Sequence, residues 1–204
     1  MEKPMKLQSN VDRDLTRCKW VTIDERYCQY HDREWGRPVL DSQTLFAKLC
    51  LEGQQAGLSW ITILNKTEDY YAAYYNFDAS QIASMDQSDI ESLLQNKGIV
   101  RNRMKIQSII RNARAYLTIE ERQPFSEFIW QFSGGKTITN GWRDQTQVPV
   151  VTPESDKMSQ SLKNAGFNFV GSKICYAFMQ AVGMVNDHTT DCHCYEEVKA
   201  LAIR

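Results

Sequence analysis

The feature that most limits how this chain can fold is its apolar periodicity. From Asp41 onward hydrophobic residues recur three and four apart, and no stretch alternates convincingly with period two. Leu45, Leu49 and Glu52 follow i, i+4, i+7 spacing behind Asp41 or Ser42 as a cap. Ile106, Ile109, Ile110, Ala113 and Leu117 form one stripe of a helix over about 103–117. Such spacing gathers side chains on one helix face, whereas a strand would scatter them over both of its faces. The same reasoning predicts helices near 66–75, 87–95, 125–132, 154–164 and 172–182. Thr152-Pro153 supplies a cap and an N1 proline for the first of the last two. Residues 134–152 carry Gly134, Gly135, Asn140, Gly141 and Pro149 and read as a long connection. The fold class is all-α, without repeats. Polar residues 1–16 read as a flexible extension and 17–204 as one domain.

A net charge of −1 argues against a protein that coats DNA but leaves room for a small phosphate footprint. Between Ser92 and Ile119 there is no acid, yet Lys97, Arg101, Arg103, Lys105, Arg111 and Arg114 fall there. That run is either a solvated helix face or a phosphate-facing patch. The first sixteen residues lack the apolar segment of a signal peptide, and no apolar run approaches membrane-spanning length. The six cysteines therefore point to a reducing cytoplasm and to metal binding before disulfides. Cys28, Cys50 and Cys175 match no ligand spacing and read as small core residues.

The stretch Leu162–Lys173 joins two amphipathic helices through a loop bounded by Gly166 and Gly171. Glycines there permit positive φ, and the N–H groups of a helix starting at Ser172 can bind a phosphate. Phe167, Phe169 and Val170 would pin the loop to the core. By itself such an αα-turn is most often only a turn. Beyond it comes Val185-Asn186-Asp187-His188. The hairpin together with this stretch resembles the helix-hairpin-helix DNA glycosylases. That superfamily carries a catalytic Asp directly after the Val, where this chain has Asn186. The 3-methyladenine DNA glycosylase I family is the branch without it. Further resemblance to that family lies in Cys18-Lys-Trp20, Tyr27, Tyr30-His31 through Trp35-Gly36, Leu51 through Trp60, and Gly98-Ile99 with the helix that opens at Arg103.

The resemblance implies a monofunctional N-glycosylase of base-excision repair. It would flip 3-methyladenine out of alkylated double-stranded DNA and hydrolyse the glycosidic bond, acting as a monomer in the cytoplasm. Glu52 and Tyr30 would be catalytic, and Trp60, Trp20 and Tyr27 would hold the base by stacking, whereas Trp35 reads as core packing. Leu58 would be the wedge that enters the duplex beside Gly57. Gly166, Phe167, Gly171, Ser172, Lys173, Arg101 and Arg103 would contact DNA. Lys173 stands near the Schiff-base position of bifunctional relatives but reads as a phosphate contact. One structural zinc ion would be held by Cys18, His31, His188 and Cys192, tying the terminal segments together. One helical turn would aim His188 and Cys192 at the same ion, with His193 and Cys194 as competitors. Two rival readings are a zinc-clipped module that binds damage without catalysis, and a glycosylase for a different N3-alkylated purine.

Overall fold

The structure, a computed structural model, describes residue 12 and residues 14–204. The expected flexible extension over 1–16 falls mostly outside the described residues. The chain forms α1 (Glu25–Arg33), α2 (Ser42–Gln54), α3 (Trp60–Leu64), α4 (Thr67–Ala73), α5 (Ala79–Ser84) and α6 (Gln87–Gln95). It continues through α7 (Arg103–Glu120), α8 (Phe125–Trp130), α9 (Pro153–Asn164), α10 (Ser172–Ala181) and α11 (Tyr195–Ala200).

Local chemistry explains where the long helices start. Asp41 caps α2 by accepting the Thr44 N–H at 2.8 Å, and Asn102 caps α7 through the Lys105 N–H at 3.2 Å. Thr152 and Ser155 form a reciprocal capping box at α9, with Pro153 at its first turn. Helix α2 is the hub, packed against α7, α8 and α10. Leu45, Phe46 and Leu49 are fully buried there, beside Ile106, Phe125 and Phe178. A smaller cluster of Cys18, Tyr30, Trp35, Leu64, Ala181, Cys192, Cys194 and Val198 joins the two ends of the chain.

Two differences from the sequence reading concern short elements. A parallel pair of two-residue strands, β1 (Ile138–Thr139) and β2 (Val185–Asn186), aligns Ile138 with Val185 and Thr139 with Asn186. The fold is therefore mostly helical with one small ladder, and residues 134–152 are more than a connection. Helices α1, α3, α5 and α11 were likewise not expected. Between α4 and α5, Tyr75, Asn76 and Phe77 all take positive φ, between 51° and 58°. Burial of Phe77 at 0% exposure fixes this turn in a conformation that L-residues ordinarily avoid.

Candidate active site and metal centre

Helix α1, capped by Asp24, projects Tyr27 and Tyr30 one turn apart toward the last turn of α2, where Glu52 sits. Trp60 opens α3, and Ala177 and Gln180 face the same space from α10. These groups, with Trp20, Trp35, Gln55 and Gln145, line a cavity of about 230 Å³. Ring centroids lie 5.2 Å apart for Trp20–Tyr27, 5.0 Å for Trp20–Trp35 and 5.4 Å for Tyr30–Trp60. None of these pairs is stacked, so the rings form walls at an angle to one another. Trp35 is buried as expected of a core residue, yet it also borders the cavity.

Glu52 is the one carboxylate on this lining among the described residues. It is 3% exposed. Its oxygens have no protein hydrogen-bond partner among the described residues, so it does not serve to cap backbone amides. Burial pushes its pKa up to about 8, against the opposing pull of the Lys48 ammonium. Lys48 is itself drawn to Glu34 at 3.3 Å. Burial, and then the Glu52 charge, also hold the Tyr30 phenol well above its ordinary pKa. Two further polar atoms of the lining, Trp60 Nε1 and Gln145 Oε1, are buried without partners.

Two buried charges that the sequence reading did not assign support these walls. The Asp187 carboxylate accepts from Asn140 Nδ2, Trp142 Nε1, Tyr176 Oη and Gln180 Nε2 at 2.7–2.8 Å. Four donors saturate it, so it is a strut that holds Gln180 and the segment after β1, not a reacting acid. Lys105, counted among the basic run, turns inward at 6% exposure and donates to the Gln54 and Ala56 carbonyls at 2.7 and 2.8 Å. Gln54 Nε2 returns a bond to Lys105 O at 3.2 Å, and its Oε1 accepts from Tyr70. Asp187 lies inside a motif quoted above, but nothing local distinguishes a strut from a catalyst. Lys105 carried a signal, since it occupies an inward position beside Ile106 and Ile109.

The α9–α10 hairpin is held from beneath. Asn112 on α7 accepts the Asn168 N–H at 2.7 Å and donates to its carbonyl at 3.2 Å. Phe167 and Val170, 3% and 1% exposed, anchor the loop, each worth roughly 1.5–3 kcal/mol of apolar burial. Phe169 is only partly buried. Gly166 takes φ +100°, a conformation that a side chain would strain. Gly171 does not: it is the extended N-cap of α10 at φ −65°, and no side chain caps that helix. Its first N–H groups, Ser172 and the exposed Lys173 thus border open surface. Gly57 has φ +76° with nothing within 4 Å of the Cβ it lacks, and Leu58 beside it is 40% exposed. Arg101 is exposed, whereas Arg103 is engaged with both oxygens of Glu91 at 2.9 Å. Arg114 donates to the Ala83 carbonyl at 3.0 Å. The run is therefore not a uniform phosphate-facing strip.

Cys18, His31, His188 and Cys192 converge, all buried, with ligand atoms within 4.8 Å of one another. Sulfur-to-nitrogen distances are 3.6 Å for Cys18–His188, 3.5 Å for Cys192–His31 and 3.4 Å for Cys192–His188. A tetrahedral ion with ordinary zinc bond lengths needs an edge of roughly 3.5 Å, so the donor set fits such an ion. Both imidazoles are already oriented. His31 Nδ1–H donates to Asp32 at 2.8 Å and His188 Nε2–H to the Trp35 carbonyl at 3.2 Å, which leaves the opposite nitrogens free. Hydrogen bonds from Cys18 and Cys194 lower the Cys192 thiol pKa, while those two thiols are raised by the same bonds.

The expected helical turn between His188 and Cys192 is absent. These residues lie in a bend closed by Cys192 N–H to Thr189 O at 2.8 Å, which brings them together without a helix. A second group of His31, Asp32, His193 and Cys194 adjoins the first. Its Asp32 is neutralised by Arg17 at 2.6 Å, which makes it a support for His31.

The helical fold that places this aromatic cavity and its one buried acid beside the αα-hairpin is that of solved DNA glycosylases. A crystal structure described as 3-methyladenine DNA glycosylase I superposes with a TM-score of 0.88 at 51% identity, over 88% of this chain and 100% of that one. Another of that description, in complex with 3-methyladenine, gives 0.85 at 37%, over 88% and 97%. The profile described as methyladenine glycosylase matches residues 20–195, and the chain belongs to that family. The Haemophilus influenzae protein named DNA-3-methyladenine glycosylase is 51% identical over 180 residues, 88% of this chain and 97% of that one.

Proposed function

We propose that this chain is a monofunctional DNA glycosylase of base-excision repair, which flips 3-methyladenine out of alkylated double-stranded DNA and hydrolyses its bond to C1′. The observation that carries this reading is the Glu52 carboxylate, buried at 3% exposure with no protein hydrogen-bond partner among the described residues, in a cavity of aromatic walls. Such a site lacks a guest that brings positive charge and N–H donors. An N3-methylated adenine in DNA is cationic and carries an exocyclic amine.

Magnitudes decide between attraction and the burden of ionising a buried acid. With a pKa of about 8, ionising Glu52 at pH 7 costs roughly 1.4 kcal/mol. A cation about 4 Å away returns roughly 4 kcal/mol at an effective dielectric of about 20. The pair therefore favours the lesion, and neutral adenine gains neither this term nor the cation–π contact with Trp20 and Trp60. Tyr30 supplies a second polar contact and Tyr27 completes the wall. A cationic adenine leaves without protonation, so no second acid is required. Asn186 fits this economy: it is buried and spends its side chain on Tyr195 O and the His188 N–H.

In this reading Leu58 fills the gap left in the duplex beside Gly57, and phosphates rest on Gly166, Phe167, Gly171, Ser172 and Lys173 of the hairpin. Arg101 is a further phosphate contact. Arg103 joins it by exchanging its exposed pair with Glu91, a pair of small energetic weight. Cys18, His31, His188 and Cys192 hold one structural zinc ion, which closes the terminal segments on each other and takes no part in the chemistry. Reduced thiolate ligands suit a cytoplasmic setting, and no helix among the described residues is long and apolar enough to cross a membrane. The enzyme acts as a monomer.

The test is release of free base from methylated duplex DNA, resolved by chromatography. Release of 3-methyladenine without 7-methylguanine supports the reading. Binding of damaged duplex with no base released favours a damage-recognition module instead.

A further inference from the structure

Next to the aromatic cavity lies a larger groove of about 470 Å³. Three parts of the chain build it: the segment after α2 with Leu58, the exposed end of α10 with Lys173 and Ile174, and the segment after β1 with Val148, Pro149 and Val150. Val150 is 64% exposed and Leu58 40%. Two apolar side chains left in water beside a lysine and an uncapped helix start make a surface that suits a ring with a phosphate attached.

Gln55, Gln145, Ala177 and Gln180 line both the groove and the aromatic cavity, so the two spaces adjoin. A flipped nucleotide stays joined by phosphodiesters to its neighbours. Whatever continues from the cavity along this groove is therefore the same strand. The segment that forms the outer wall is also built to stay in place. Asp144 accepts from the Thr146 N–H at 2.9 Å, Gln147 accepts from the Arg143 N–H at 2.8 Å, and Lys19 pairs with Asp144. The first two bonds shape the turn over 143–147 that leads into the wall, and the Lys19–Asp144 pair alone ties that turn to the Trp20 segment on the other side of the cavity.

We propose that the groove between Leu58, Lys173 and Val150 is the bed for the nucleotide adjoining the lesion on the damaged strand, with Val150 against its sugar or base and Lys173 against its phosphate. The proposal rests on the glycosylase reading above and adds residues 148–150 to the DNA interface.

The six cysteines are all buried, so a thiol introduced at an exposed position is the accessible one among the described residues. Val150→Cys is therefore tested by disulfide exchange with duplexes that hold a stable abasic analogue and carry a mixed-disulfide tether. The tether sits on the neighbouring nucleotide of the damaged strand or on the opposite strand. Leu40→Cys is the control, since Leu40 is 60% exposed but precedes α2, at the end away from Leu58. The expected result is cross-linking of Val150→Cys to the damaged-strand neighbour at least about tenfold faster than Leu40→Cys, because a thiol beside the tether sees a raised effective concentration. Equal rates, or preference for the opposite strand, would overturn the proposal. If the unmodified protein neither binds the abasic duplex nor releases base, the glycosylase reading fails instead.

Discussion

The ammonium of Lys105 donates to the carbonyl oxygen of Ala56 at 2.8 Å, so a cation on α7 holds the chain that leads into Gly57 and Leu58. Helix α2 ends at Gln54; the Gln55 and Ala56 N–H groups close on the Glu52 and Gly53 carbonyls, and Lys105 takes the Gln54 carbonyl at 2.7 Å. Lys105→Met keeps the apolar stem and removes two charge-assisted bonds. We expect a loss of roughly 2 kcal/mol in denaturant unfolding. Excision from duplex DNA should fall more than affinity for free 3-methyladenine, because the wedge segment loosens while the aromatic cavity persists. Equal loss in both would assign Lys105 to the core alone.

Glu52 leads to a prediction in pH. Its pKa is about 8 in the folded chain against an ordinary value of 4.5, so folding favours the protonated acid. Its contribution to stability is fully present below about pH 4.5 and is lost as pH rises through about 8. Glu52→Gln should match the parent near pH 4.5 and melt higher above pH 8. Activity should move the other way. For the cationic lesion, kcat/KM of the parent rises with pH toward about 8, and the variant shows no such rise. Near pH 8 the variant should excise roughly 100-fold more slowly, the equivalent of about 2.7 kcal/mol. An unchanged profile would remove Glu52 from base recognition.

The ligand assignment separates cleanly by substitution. Chelation or Cys18→Ser should lower the melting temperature and release zinc. Cys194→Ser should retain one equivalent, which distinguishes Cys192 from its neighbour as the ligand. Asp32→Asn should weaken zinc binding roughly 10–100-fold in competition with a chromophoric chelator, because His31 loses its orienting acceptor. Zinc content equal to that of the parent in Cys18→Ser would refute the site.

Asp187 should prove structural. Asp187→Ala leaves the buried Tyr176 hydroxyl and three half-buried donors without an acceptor and should destabilise by about 3 kcal/mol. Asp187→Asn keeps one oxygen as acceptor and should lose less. If instead Asp187→Asn kept full stability and lost excision, the carboxylate would belong to the chemistry.

Lys173 should not form a Schiff base. Borohydride trapping on damaged DNA should give no adduct, while Lys173→Gln should reduce the salt dependence of DNA binding by about one ion. An adduct that vanishes in Lys173→Gln would overturn the monofunctional reading.

Much of this molecule was readable from local pattern. Helices α2, α6, α7, α9 and α10 fall within about three residues of the ends that their apolar stripes and caps indicated, since periodicity and capping act over one or two turns. Residue chemistry near Glu52, Trp60 and Tyr30 was likewise visible as a buried acid position among aromatics. Helices α1, α3, α5 and α11 and the two-residue strands were not: α3, α5 and α11 are only five or six residues long, and α1 lies ahead of the periodic run that begins at Asp41.

Tertiary structure decided the rest. Cys18 and His188 meet across 170 residues, and Asp187 gathers donors both from the segment after β1 and from α10. Only the folded chain turned Lys105 from a surface charge into a clamp on Ala56. It likewise made the segment after β1 a wall beside the cavity. The physical reason is the same throughout: local sequence sets backbone preference, but which buried polar group finds which partner depends on how the helices pack.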